Sequence, residues 1–300
     1  MGSRWVAFTA TLVVLGACGF RVALQRVFLQ AAPELAPASD RRAARLGLLA
    51  SAALVAALLA KVVAQAGSFL DPGESVTWEL VSTIVRGTSW GEGWTAQFVG
   101  GLLAVTGFGV VLLRPAVGWI MAIAGASAIA LAAPLTGHAT GAEQAGVWGY
   151  PLDVLHVLGA GVWLGTLGTL VLVGFPSLRS LDPDRRGSTV SQLVNAFHPI
   201  ALGSAAIVIA AGGLLALLYL DWSVTALWDS RYGRTLALKL LVLAGVAALG
   251  RHNWKVVRPT LGSPEGADRI AKSSMLELGF AVTLLLVTAV LVSQPMPGEE

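Results

Sequence analysis

Asp153 and His156 are the two residues of this sequence whose types and spacing suit metal chemistry. A separation of three residues places both side chains on one face of a helix. A carboxylate with an imidazole is a donor set that suits a borderline divalent metal such as Cu(II). His138 precedes the pair by a short loop that contains Glu143 and no Arg or Lys, which favours the approach of a cation. The candidate metal ligands are therefore His138, Asp153 and His156.

The other two histidines, His198 and His252, are weaker candidates on the opposite side of the predicted membrane bundle. An outer histidine pair and an inner pair could hold two b-type haems, which keeps a haem electron carrier as an alternative. Haem ligands usually lie deeper in a bundle, and His252 lies beyond the predicted end of its helix. A non-metal membrane scaffold is the other alternative.

Two ionisable residues, Lys239 and Glu277, lie inside apolar runs. Because burying such groups in a membrane is costly, they are functional candidates by default. A structural ion pair or a side chain that snorkels to the interface explains them equally well.

Composition defines the elements that must position these residues. The 300 residues are 55% hydrophobic and 12% charged, against roughly 25% charged in soluble domains, and the mean hydropathy is +0.73. These values exclude a soluble globule and predict an all-α, polytopic membrane protein. The net charge of +3 does not indicate nucleic-acid binding, because basic residues of membrane proteins collect in cytoplasmic loops. The single cysteine, Cys18, excludes an intramolecular disulfide.

About eight apolar runs approach the roughly 20 residues needed to span a bilayer. The first is interpreted as a retained helix and not as a signal peptide. The predicted helices cover residues 5–26, 46–67, 94–113, 115–137, 152–174, 198–220, 234–251 and 274–293.

The distribution of Arg and Lys predicts the orientation of the chain. Thirteen of these residues lie in or beside the loops after the first, third, fifth and seventh helices, and four lie on the opposite side. The positive-inside rule therefore predicts a multi-pass protein of the bacterial inner membrane with both termini extracytoplasmic. The remaining cations are Arg21 and Lys61, expected to snorkel from helix ends, and the deeper Lys239.

Weak internal similarity predicts two parallel four-helix repeats, residues 1–149 and 150–300. The segment 14–20 aligns with 157–163, a displacement of 143 residues. In this alignment Val13 matches His156 and Gln97 matches Lys239, so the first half is expected to lack the polar groups of the second. Parallel repeats of this kind occur in transporters.

Five motifs in the second half are similar, in the same order, to those of the CopD copper-resistance family. They are His156 followed by Trp163-Leu-Gly165; Phe197-His198, where that family tends to have Phe-Ser; Tyr232-Gly233 followed by Lys239; Asn253 with Glu277; and the closing Gln294-Pro295. The first half is similar only in hydropathy and helix count.

This resemblance implies a role in copper handling, with Trp163, Tyr232, Lys239, Asn253 and Glu277 as supporting polar or intramembrane residues. Copper uptake in partnership with an extracytoplasmic CopC-type protein, in contact with membrane lipid, is the implied function. No nucleophile elbow, P-loop, HExxH or dinucleotide fingerprint occurs in the sequence, so an enzyme is not expected. Only Met121 of the four methionines lies well inside a predicted helix, so the ladder of soft ligands that suits Cu(I) is absent.

Overall fold

The protein forms a bundle of eight membrane-length helices in a computed structural model, which describes residues 2–71, 73–137, 143–220, 222–223 and 225–294. All regular secondary structure in these residues is helical. The spans are α1 Gly2–Ala31, α2 Ala36–Gly67, α3 Ser89–Val111, α4 Pro115–Thr136, α5 Gly146–Ser177, α6 Pro183–Tyr219, α7 Arg231–Thr260 and α8 Pro264–Leu291. The prediction of an all-α polytopic membrane protein is confirmed.

Odd-numbered spans begin, and even-numbered spans end, at one face of the bundle, called here the terminal end. The opposite face, which carries most of the Arg and Lys residues, is called the basic end. Several spans extend beyond their predicted limits at the basic end: α6 begins at Pro183, α7 continues to Thr260 and α8 begins at Pro264. Polar residues can continue these helices because the last turns need not lie in hydrocarbon. His198 therefore lies inside α6 and His252 inside α7, and the predictions that they lie at helix boundaries are wrong.

The described residues include short helices that were not predicted, between the spans. Trp78–Gly87 lies at the terminal end between α2 and α3, and it begins where the Thr77 hydroxyl accepts a hydrogen bond from the Leu80 N–H at 3.2 Å. Its Trp78 side chain is 75% exposed. A short amphipathic helix of this kind is typical of a membrane surface. Its apolar run is too short to be recognised as a span.

The lipid-facing surface explains the composition of the chain. Large apolar side chains point away from the bundle along several spans, among them Leu49, Ile120 and Leu241, each at least 70% exposed. In water such a surface would be unstable, whereas in a bilayer it meets hydrocarbon. These residues are the surplus hydrophobic residues that a soluble core of this size could not bury.

The two halves of the chain meet where α1 crosses α5. A Cβ atom at Gly16 would lie 2.0 Å from the Gly165 carbonyl carbon, and one at Gly165 would lie 1.9 Å from the Leu12 oxygen. Only glycine permits backbones to approach so closely, which is the usual device of packed membrane helices. This contact fixes the position of α5, which carries Asp153 and His156.

Helix packing differs between the halves at one corresponding place. α2 packs along α3, and the Trp94 indole N–H of α3 donates to the Leu58 carbonyl of α2 at 2.8 Å. The backbones of α6 and α7 have no extended contact in the described residues. Side chains link these two helices near their ends, through Tyr219 and Tyr232 at the terminal end. The repeat and its division at residue 150 stay predictions.

Ion pairs stabilise the basic end. Arg21 does not snorkel as expected: its Nε lies 3.2 Å from Asp40 Oδ1, and Asp40 Oδ2 accepts from the Trp119 indole at 3.1 Å. Arg185 bonds to Glu34 at 2.7 Å and so ties α6 to the loop after α1. A hydrogen bond from its own backbone N–H, and then the Arg185 guanidinium, hold the pKa of the Glu34 carboxyl below its usual value.

Candidate functional site

A cavity of about 340 Å³ lies in the terminal-end half of the bundle, and residues from all eight spans line it. Its volume is within the range of roughly 300–1,000 Å³ typical of small-ligand sites. It occupies the space between α6 and α7, where their backbones stay apart. Five residues singled out in the second half of the sequence line it together: Asp153, His156, Trp163, Tyr232 and Lys239.

His156 is held in one orientation by the neighbouring helix. Its Nδ1 lies 3.0 Å from the Val208 carbonyl oxygen of α6. A carbonyl only accepts hydrogen bonds, so Nδ1 carries the proton and Nε2 of the neutral ring keeps its lone pair. Histidines that bind metals are usually oriented by such a bond from the other ring nitrogen. The imidazole is therefore arranged to offer Nε2 to a ligand.

The imidazole also requires a glycine beside it. A Cβ atom at Gly212 would lie 2.7 Å from both Cε1 and Nδ1 of His156. Gly213, the next residue, also lines the cavity but has open space at its Cβ position. Gly212 thus provides the surface against which the ring packs. This contact ties the position of the His156 ring to the packing of α6.

Asp153 lies one turn from His156, and polar groups of two other spans interact with its carboxylate. It interacts electrostatically with Lys239 and Tyr232 of α7 and with Tyr219 of α6. The two tyrosine rings meet edge to face, with centroids 6.5 Å apart. Lys239 is thus placed to balance the carboxylate charge, which lowers the cost of both groups in a membrane.

Trp163 lies in a π-helical segment of α5, Gly161–Gly165. Its side chain is 6% exposed and forms part of the cavity wall below His156. Single π-helical turns often occur at functional sites because they re-aim side chains within a helix. The segment also contains Gly165, at the crossing with α1.

The first half contributes a polar wall that the sequence reasoning missed. Arg4, Lys61, Gln97 and Thr136 all line the cavity. Lys61 does not snorkel: its Nζ donates to the Thr136 hydroxyl at 2.7 Å, and the Gln97 amide donates to the same hydroxyl at 2.8 Å. The first half thus contributes polar groups of its own to the cavity, although its sequence has no counterparts of His156 and Lys239. Gln97 and Lys61 within apolar runs were the available signal.

A second polar cluster lies nearer the basic end. The Asn253 amide donates to Glu277 Oε2 at 2.9 Å, and the Ser273 hydroxyl donates to Asn253 Oδ1. Both Asn253 and Glu277 are over 90% buried. Glu277 precedes the cavity-lining Leu284 by seven residues, so it lies on the same face of α8 about 10 Å away. The structure joins these two predicted residues but places them outside the cavity.

The remaining histidines lie apart from the cavity. The His198 ring stacks on Trp254, with centroids 3.1 Å apart, and the Arg258 guanidinium lies 3.7 Å from the centre of the same indole. His252 is exposed. His198 and His252 belong to different spans, and neither is among the described residues that line the cavity. His138 lies outside the described residues, so its predicted approach to His156 stays a prediction.

Two family profiles match the sequence of this chain. A family profile for the N-terminal domain of copper resistance protein D-like proteins matches residues 1–150, and the copper resistance protein D profile matches residues 191–291. The chain belongs to the copper resistance protein D family. The match over 1–150 goes beyond the likeness of hydropathy found in the sequence. Asp153, His156 and Trp163 lie between the two matched segments.

One curated relative of this family is the "Copper transport protein CutJ" of Bacillus subtilis (strain 168). It is 29% identical over 169 residues, which cover 56% of this chain and 29% of the relative. The chain thus spans under a third of that protein's length. No solved structure matches the chain. The two matched profiles are named for copper resistance, and the relative is named as a copper transport protein.

The donors of the cavity indicate which form of copper this family member could bind. No group of three or more His, Cys, Asp or Glu side chains in the described residues could hold a metal, and Asp153 with His156 stays a predicted pair of ligands. No Met or Cys occurs among the described cavity-lining residues, and Cys18 is buried in α1. Nitrogen and oxygen donors suit Cu(II), whereas Cu(I) prefers sulfur.

Proposed function

We propose that this protein takes up copper across the bacterial inner membrane and that Cu(II), as cargo, first binds at Asp153 and His156. The observation that supports this most directly is the fixed imidazole: His156 donates from Nδ1 to Val208 and keeps Nε2 for a ligand, beside a carboxylate one helical turn away. Two ligands hold a metal less firmly than the four of a structural site. Weak binding suits a transported ion, which must leave again.

Lys239 has a role in this cycle. Without copper, its ammonium balances Asp153 across the cavity. When Cu(II) binds, the metal replaces that balance and repels the ammonium. Copper binding and the position of α7 are coupled in this way, because the Asp153 carboxylate interacts with the Lys239 ammonium when copper is absent and binds copper when it is present.

The route continues along α7 and α8 toward Glu277. One face of α7 leads from the cavity toward the second polar cluster, because its residues recur at spacings of four, three, four and three. They are Lys239, Leu243, Val246, Gly250 and Asn253. Apolar residues close this route below the cavity; Val246, for example, is fully buried. Glu277 and Asn253 are the next polar groups along this route, and in this proposal they form its second copper-contacting site.

The cavity faces the extracytoplasmic side in this proposal. The excess of Arg and Lys in the loops of the opposite face favours that orientation, and both termini then lie outside the cytoplasm. An extracytoplasmic CopC-type protein would deliver copper to the terminal end. The surrounding spans contact membrane lipid.

Copper accumulation tests the proposal. Cells that produce the wild-type protein should contain more copper than cells without it. His156→Ala should abolish the difference, while His252→Ala, at the exposed basic end, should have a milder effect. Immunoblots of membrane fractions check that each variant inserts. Lower copper in producing cells would overturn uptake, and an unchanged His156→Ala variant would overturn the site.

The purified protein provides a second measurement. Cu(II) bound at the cavity should give nitrogen hyperfine splitting in its electron paramagnetic resonance spectrum, and His156→Ala should remove it. A Soret absorption band would instead support the haem alternative.

A further inference from the structure

The described residues of the cavity wall carry more positive than negative charge. Three cations line it, Arg4, Lys61 and Lys239, and Asp153 is the carboxylate described among the lining residues. Lys239 and Asp153 interact with each other. Arg4 and Lys61 remain on the first-half wall, close enough to repel each other.

Neither of these two cations takes part in the described ion pairs. Those pairs join Arg21 to Asp40, Arg185 to Glu34 and Arg186 to Asp268, all at the basic end. Lys61 lies near the opposite end of α2 from Asp40, about six helical turns away. Two like charges at one wall of a membrane cavity are costly unless an anion balances them.

Hydrogen-bond donors exceed acceptors at this wall. The Thr136 hydroxyl accepts from Lys61 at 2.7 Å and from Gln97 at 2.8 Å, and it donates to the Ala133 carbonyl at 3.1 Å. Its bonding capacity is therefore used. Lys61 has two further N–H groups. Arg4 donates one N–H to the Val292 carbonyl at 2.9 Å and has four more.

These bonds also fix where the two cations point. Thr136 and Gln97 hold the Lys61 ammonium at the cavity, and the Trp90 ring lies 5.7 Å from it on another side. Val292 holds the guanidinium of Arg4 at the end of α8. A snorkelling side chain would extend toward the headgroups, whereas both of these line the cavity.

We propose that Arg4 and Lys61 form an anion subsite in the wall opposite Asp153 and His156, which binds the oxygen atoms of a phosphate or carboxylate group. Oxygen anions of these classes accept several N–H bonds at once, and a guanidinium beside an ammonium matches them. The bound anion offsets the excess positive charge of the wall. It also allows a divalent cation to bind across the cavity, because it balances the added charge.

Phosphate could reach this subsite from solution or as the headgroup of an anionic lipid, and two arms of one experiment distinguish these sources. In the first arm, the melting temperature of the purified, copper-free protein is measured with a chelator present, at increasing concentrations of inorganic phosphate and constant ionic strength. In the second arm, the delipidated protein is mixed with phosphatidylglycerol or phosphatidylethanolamine and its bound lipid is counted by native mass spectrometry. The absence of copper keeps this test independent of the copper site.

The wild-type protein should be stabilised by phosphate or should retain phosphatidylglycerol over phosphatidylethanolamine. Lys61→Met should lower the affinity for whichever probe binds the wild type by about tenfold, which is the effect of losing one charge-assisted hydrogen bond. Lys61→Arg keeps the charge and should respond like the wild type, which separates lost binding from misfolding. Lys272→Met removes an exposed cation at the basic end and should also respond like the wild type. If neither probe binds the wild type, or if Lys61→Met binds as well as the wild type does, the subsite does not exist.

Discussion

The contact between Gly212 and His156 makes the orientation of the imidazole testable without changing the imidazole itself. In Gly212→Ala, the new Cβ would lie 2.7 Å from Nδ1 and Cε1, whereas ordinary contacts begin at 3.4 Å. The ring must therefore retreat by roughly 0.7 Å or turn. Either movement weakens the 3.0 Å bond to the Val208 carbonyl.

The effects on stability should nearly cancel in this variant. A lost hydrogen bond costs about 1 kcal/mol, while alanine replaces glycine inside a helix with a gain of roughly 0.5–1 kcal/mol. The melting temperature should therefore change little. Copper affinity should fall by about 10- to 100-fold, the usual effect of losing the group that orients a metal-binding histidine.

Gly213→Ala is the matched control. It lies in the same helix and lines the same cavity, but its new Cβ meets nothing within 4 Å. Titration of both purified variants with Cu(II), together with cellular copper content, measures the difference. In a His156→Ala background, Gly212→Ala should have no further effect on copper binding, because the two changes act through one group. Equal copper affinity in the two glycine variants would refute the orientation argument.

Two more predictions concern the route and the orientation of the chain. Glu277→Gln should leave Cu(II) binding at the cavity intact but lower cellular copper accumulation, because the carboxylate lies about 10 Å beyond the cavity floor; loss of binding, or normal accumulation, would contradict its place on the route. A C-terminal alkaline phosphatase fusion should be active outside the cytoplasm, and a fluorescent protein fused there and bright inside would reverse the orientation.

The site residues of the second half could be predicted from the sequence, because helical periodicity alone places them on common faces. Asp153 and His156 are three residues apart on one helix, and Tyr232 and Lys239 are seven apart on another, so each pair shares a face whatever the surrounding bundle does. The number of spans followed from apolar length in the same way. Both features depend on residues close in the chain.

The first-half wall could not be derived in this way, because its residues come from separate spans. Lys61, near the end of an apolar run, resembles a snorkelling residue in the sequence; the structure shows that the Thr136 hydroxyl of another span accepts a hydrogen bond from it. The Gly212 contact is equally invisible, since nothing in the sequence relates α6 to the ring of His156. The spans were predicted too short at the basic end because hydropathy indicates only the segment that lies in hydrocarbon. A helix can continue beyond that segment.

The predicted repeat suggests a physical reason why the cavity opens between α6 and α7. In the first half, α2 and α3 pack directly, with the Trp94 indole bonded to the α2 backbone. The corresponding helices α6 and α7 stay apart over the cavity, and side chains bridge them at the terminal end. If the halves arose by duplication, the first kept a closed interface that supports the bundle, while the second opened the same interface to hold a ligand. Gln97 fits this account, since it occupies the position that matches Lys239 and still reaches the cavity, where it holds Thr136 in place for Lys61.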